Sequence, residues 1–134
     1  MNNEPLGSYE RKIMSYENIG SLFFALEREI EIAKHEKAKI SENISTWEFA
    51  SSFHLDSIIE WDAKHYAAAF VIDLVDDLAQ LEDEEGTAGV LKLIRDRILY
   101  RITSMTTAPR STSPSHNAIE NARHYELINI LGKI

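Results

Sequence analysis

Three sets of side chains have types and spacings that could support chemistry. The first is acidic. Asp73, Asp76 and Asp77 follow Asp62 and His65 along one long apolar segment, Trp61 to Glu85. At 100° per residue all five fall on one narrow face, with Ala69 and Gln80. Carboxylates at i, i+3 and i+4 are hard oxygen donors of the kind Mg²⁺ takes. Asp62, His65, Asp73, Asp76 and Asp77 are therefore the candidate ligands of a metal-dependent hydrolase. The second set pairs carboxylates with imidazoles: Glu27, Glu31 and His35, then His116, Glu120 and His124, each at steps of four. Facing helices with such groups can bridge metals, although a di-metal bundle needs two Glu-x-x-His pairs. The nearest match is Asp62-x-x-His65. The third set is Arg110 and His116. A guanidinium can grip a phosphate, and an imidazole can move a proton near neutral pH.

Each set also has a plainer reading. Helical Mg²⁺–pyrophosphate enzymes need a larger chamber and a second acidic motif, and Glu27, Glu29 and Glu31 have the wrong spacing for a pyrophosphohydrolase. A charged stripe is more often solvated or paired. Arg101 projects near the apolar side of its helix, with Arg97 beside it. A guanidinium near a core must find a carboxylate, because an unpaired buried charge is costly. The expectation is that Asp73 and Asp76 form structural ion pairs with Arg97 and Arg101, within the chain or across a symmetric copy. His65 lacks the lysine and glycine that follow a phosphorelay histidine. The hydroxyl-rich run at Ser111, Thr112, Ser113 and Ser115 reads as loop and cap.

Arg110 and His116, with five residues between them just before the last helix of a small bundle, resemble the Arg-x4–6-His pair of HEPN-type ribonucleases. The resemblance implies an endoribonuclease in which both residues act on the scissile phosphate. It spans seven residues. It departs from the family at Ser111, where a carboxamide or acid is usual, and Pro114 falls inside the spacing. The last eight residues, Leu127 to Ile134, are similar to the ending of small helical antiactivators that sequester quorum-sensing transcription factors in rhizobia-like bacteria. That likeness points to a regulator acting by protein binding.

The elements that must position these groups are helices. Ile19, Leu22, Phe23, Leu26, Ile30 and Ala33 repeat at helical spacing, which predicts a helix starting near Ser15 or Ser21 and fading at Lys39 to Ile40. Gly20 makes Ser8 to Asn18 a candidate extra short helix. A second helix is expected from about Leu55 to Glu84, ended by Gly86. A third starts at Thr87, with Val90, Leu91, Ile94, Ile98, Ile102 and Met105 on one face. Residues 107–113 form a loop. Ser113-Pro114 then opens the last helix as cap and first helical position. Residues 1–7 read as a flexible tail. The expected fold class is all-α, a single-domain antiparallel bundle of four main helices over residues 1–134.

Composition narrows the function classes. The chain has no cysteine, which removes disulfides, thiolate metal sites and cysteine nucleophiles. No apolar run approaches the roughly 18 residues of a membrane span, so a cytoplasmic protein without membrane partners is expected. Net charge is −8, and residues 87–134 carry seven basic against three acidic side chains, leaving −12 on residues 1–86. The acidic part is not expected to bind nucleic acid directly. Leu93, Leu99 and Tyr100 form a second apolar patch on the third helix, so they are interface candidates, covered by a two-fold homodimer or by the segment around Trp47 and Phe49. No cofactor is expected. The expected function is a small non-enzymatic regulator, an inhibitor, antiactivator or immunity-type module, binding a protein with a basic surface. The alternatives are the Arg110/His116 nuclease and the metal-dependent hydrolase.

Overall fold

The computed structural model describes residues 18–44, 52–108 and 110–134 of the chain, and every regular element among them is helical. Helix α1 is Ile19–Ile44, α2 is Ser52–Leu78, α3 is Glu82–Thr107 and α4 is Pro114–Leu131, with a 3-10 turn, Ala79–Leu81, between α2 and α3. The all-α bundle expected from periodicity is the fold. The candidate helix Ser8 to Asn18, the 1–7 tail and the Trp47/Phe49 segment lie outside the described residues, apart from Asn18.

Asn18 sets the start of α1. Its side-chain oxygen accepts from the backbone N–H of Ser21 at 2.7 Å, satisfying one of the donors a helix start leaves open. Ser15 and Ser21 were the expected starts; Ser21 sits inside the first turn and takes the cap bond. Ile19, Leu22, Leu26 and Ala33 carry the buried stripe of α1. The helix runs four residues past the expected end, because nothing between Ile40 and Ile44 breaks it.

Helix α2 is the hub, packed by α1, α3 and α4. Ala63, Ala67, Ala68, Val71, Val75 and Leu78 are all buried. Small residues at 63, 67 and 68 let neighbouring axes approach closely. A helix contacted on three sides has little room for charge: Asp62, His65, Asp73, Asp76 and Asp77 share one strip, and Lys64, on the other side, is paired with Glu126. Helices α2 and α4 run in the same direction: Asp62 meets Arg123 at 3.2 Å and Lys64 meets Glu126 at 3.3 Å.

The expected break at Gly86 falls inside α3, whose first residues, Glu82 to Glu84, were expected to belong to the second helix; the φ of 78° and ψ of 164° at Gly86 split α3 into two segments and turn the chain there. This region is open almost only to glycine. The Thr87 hydroxyl donates to Glu82 Oε2 at 2.6 Å and latches the corner. Val90, Ile94, Ile98 and Ile102 then form the buried edge of α3. Ser113 caps α4 by accepting from the His116 N–H at 3.3 Å, with Pro114 in the first turn as expected. Helices α3 and α4 lie antiparallel. Arg95 Nη1 donates to the Leu131 carbonyl at 3.2 Å, and Thr106 Oγ1 lies 3.3 Å from His124 Nε2.

Candidate functional site

Two adjoining depressions collect the polar side chains of the bundle. They meet at Tyr66. The first is a groove of 440 Å³ lined by Lys37 of α1, Asp62, His65, Tyr66, Phe70 and Asp73 of α2, and Arg123 of α4. Asp62 is its pivot. Its carboxylate accepts from Arg123 Nη2 at 3.2 Å and faces Lys37 Nζ at 3.7 Å. One carboxylate on the hub helix thus ties α1 and α4 to it. Lys37 Nζ also lies 2.9 Å from His65 Nδ1. An ammonium can only donate, so Nδ1 accepts and the ring is neutral. The His65 pKa is lowered accordingly: burial disfavours the imidazolium first, then the charges of Lys37 and Lys34, with Asp62 opposing.

Tyr66 carries cations on both its ends. Arg101 of α3 donates to the phenol oxygen from Nε at 3.2 Å and from Nη2 at 2.8 Å. The Arg123 guanidinium lies over the ring, 4.5 Å from its centroid. Such a stack is worth about 0.5–2 kcal/mol, depending on desolvation. Arg123 also reaches Glu120 at 3.5 Å. Its Nε is buried and has no hydrogen-bond partner.

The second depression is a pocket of 170 Å³ where the end of α3 meets residues 110–113 and the start of α4. Arg101, Ser104, Arg110, Ser111, His116, Asn117 and Glu120 line it, with Met105 and Ala108. The loop is pinned by side-chain bonds. Asn117 accepts from the Ser111 N–H at 3.2 Å and donates to the Ser111 carbonyl at 2.8 Å. Ser111 Oγ accepts from the Ser113 N–H at 3.0 Å. Arg110 Nη1 donates to Asn121 Oδ1 at 2.9 Å. Arg110 and His116, six positions apart in sequence, thus share one wall-to-wall concavity.

Several expected pairings are not made. Neither Arg97 nor Arg101 forms an ion pair with Asp73 or Asp76 among the described residues. Arg101 is captured by the Tyr66 hydroxyl instead, and Arg97, Asp73, Asp76 and Asp77 stay exposed. The arginine that does reach the acidic strip is Arg123, and it takes Asp62. No group of three His, Asp or Glu side chains that could hold a metal occurs among the described residues. Asp62 and His65 are occupied by Lys37, and a bound ammonium repels a cation. The third-helix patch is split: Leu93 packs against the core, whereas Leu99 and Tyr100 are 49% and 74% exposed. Tyr66 and Arg123 were not singled out in the sequence, and neither was the part-buried pair Lys64–Glu126. An aromatic hydroxyl on the polar strip of a hub helix was the available signal for Tyr66.

Comparison with known protein families, with characterised proteins and with solved structures finds no match. No helix among the described residues is long and apolar enough to cross a membrane.

Proposed function

We propose that this chain is a small protein-binding regulator that works through its bundle surface. One observation carries the reading: an apolar strip over the α3–α4 seam. Leu99 lies between Arg95 and Thr106 on the α4-facing side of α3. Ile128 lies between His124 and Leu131 on the α3-facing side of α4. Both side chains, at 49% and 45% exposure, stay open to solvent, and Tyr125 beside Ile128 is 63% exposed. Covering a half-exposed Leu or Ile gains about 1 kcal/mol each. Exposed apolar side chains brought to one level of two adjacent helices are of the kind binding surfaces present. The acidic residues Asp73, Asp76, Asp77 and Asp83 to Glu85 are also exposed, which favours a partner with a basic surface. A two-fold dimer of the chain through the same strip is part of this proposal.

The test is solution mass over a concentration series, combined with co-purification of cross-linked partners, for the native chain and for Leu99→Asp/Ile128→Asp. Self-association or a defined partner that the double variant loses supports the proposal. A monomer with the same co-purifying set in both proteins sinks it. A second reading is favoured by one specific observation, that Arg110 and His116 line the same pocket. It is endoribonuclease action, and it requires RNA cleavage that disappears in His116→Ala.

A further inference from the structure

The pocket between α3 and α4 has unspent hydrogen-bonding capacity, and its charge is lopsided. Arg101 spends Nε and Nη2 on Tyr66, which leaves Nη1. Arg110 spends Nη1 on Asn121, which leaves Nε and Nη2. The Ser111 hydroxyl accepts from Ser113 and keeps its own proton to donate. The Ser104 hydroxyl and the His116 ring have no partner among the described residues. All five side chains line one cavity of 170 Å³. The one carboxylate in the lining, Glu120, is already paired with Arg123 at 3.5 Å. Two guanidiniums from different elements therefore face a small space without a countercharge of their own. Residues 87–134, which supply every side chain of the pocket, carry seven basic against three acidic groups, so the pocket sits in the basic part of an otherwise acidic chain.

We infer that this pocket binds a terminal phosphoryl group, through Arg101 and Arg110 as charge partners and Ser104, Ser111 and His116 as further hydrogen-bonding groups. Charge and size both favour that ligand. A phosphate monoester carries about −1.5 to −2 near pH 7, which matches two arginines. An internal phosphodiester carries a single charge and needs room for chain on both sides. Guanidinium forks suit phosphate oxygens and bind them with short, charge-assisted bonds. The Ser111–Asn117 clasp holds the loop in place before any ligand arrives, so little ordering entropy opposes binding. The inference stands whether or not the pocket also cleaves a substrate.

The test is a titration of the full chain, followed by backbone amide NMR, with inorganic phosphate, a nucleoside 5′-monophosphate, and a short RNA lacking terminal phosphates. Saturable shifts at Ser111, Asn117 and their neighbours are expected with the first two ligands. Arg110→Gln should weaken that binding about tenfold or more, the worth of one charge-assisted bond. Arg97→Gln, an exposed arginine outside the pocket, should leave it unchanged. Both residues are exposed, so an unaltered thermal midpoint shows that both variants fold. Phosphate and monophosphate binding together assign the site to phosphoryl groups generally. Monophosphate binding alone assigns it to phosphate esters. Absence of saturable shifts at these amides, equal effects of the two variants, or tighter binding of the end-less RNA overturns the inference. RNA cleavage by the native chain bears on the nuclease reading separately.

Discussion

Single residues set the electrostatics of this bundle by choosing partners that linear spacing does not announce. Glu126 is buried, with 9% of its surface accessible, and its carboxylate is held by Lys64. Glu126→Ala leaves that ammonium without its partner inside the packed face. A loss of about 1–2 kcal/mol is expected, less than the roughly 3–5 kcal/mol of a fully buried pair because Lys64 keeps some contact with water. Urea unfolding reads it as a lower midpoint at unchanged slope. His65 makes a pH-dependent contribution whose sign follows from its lowered pKa. The folded chain holds the ring neutral, while the unfolded chain protonates it at its ordinary value of 6.5. Unfolded protein then binds more protons, so stability falls as pH drops below about 6.5 toward the folded-state value. Thermal midpoints between neutral and mildly acidic pH should fall in the native chain and fall less in His65→Asn. Arg123→Lys tests the stack on Tyr66, since an ammonium cannot keep both the ring face and two carboxylates. A loss of about 1 kcal/mol or more is expected in calorimetry.

At the scale of elements, periodicity made most of the helices legible and hid how they meet. The buried stripe of α1 and the Val90, Ile94, Ile98, Ile102 edge of α3 follow directly from their spacing. The start of α1 falls between the two expected positions, because Asn18, Ser15 and Ser21 are all competent caps and only geometry shows which oxygen meets the free N–H. The acidic strip was visible, but its arginine partners were not. Arg97 and Arg101 have the right charge and helix, yet Tyr66 lies one turn from Asp62 and intercepts Arg101 at the core edge. Arg123 reaches Asp62 because α4 runs alongside α2 in the same direction, a long-range fact that no local pattern encodes. For the pocket, the spacing of Arg110 and His116 was readable, whereas Arg101 and Ser104 enter it from a different helix. Cap chemistry predicts one further outcome. Ser113→Ala removes the oxygen that accepts from the His116 N–H and should cost about 1 kcal/mol. The same change should blur the Ser111–Asn117 clasp, seen as broadened amide resonances in that loop.

On the scale of the whole molecule, one helix carries the architecture. Helices α1, α3 and α4 each lean on α2, so disturbing its alanine seam reaches every neighbour at once. Ala67 is fully buried, and Ala67→Leu forces axes apart; overpacking of this kind costs about 1–3 kcal/mol. Its signature is a lowered midpoint together with dispersion changes in all four helices by NMR, where an edge substitution would perturb one. The corner at Gly86 bears on the same architecture in a different way. Helical backbone lies on both sides of it, and a Cβ placed there meets no atom within 4 Å, so only its positive φ opposes a side chain. Gly86→Ala should cost the hairpin about 1–3 kcal/mol. A chain released from that angle has a ready alternative: α2 and α3 can run on as one rod, handing α3 and α4 to a second copy that returns its own. The expected product is a domain-exchanged dimer that accumulates with concentration, keeps its helical content and loses the latch between Glu82 and Thr87. A single dihedral angle therefore separates a self-contained chain from a reciprocal pair.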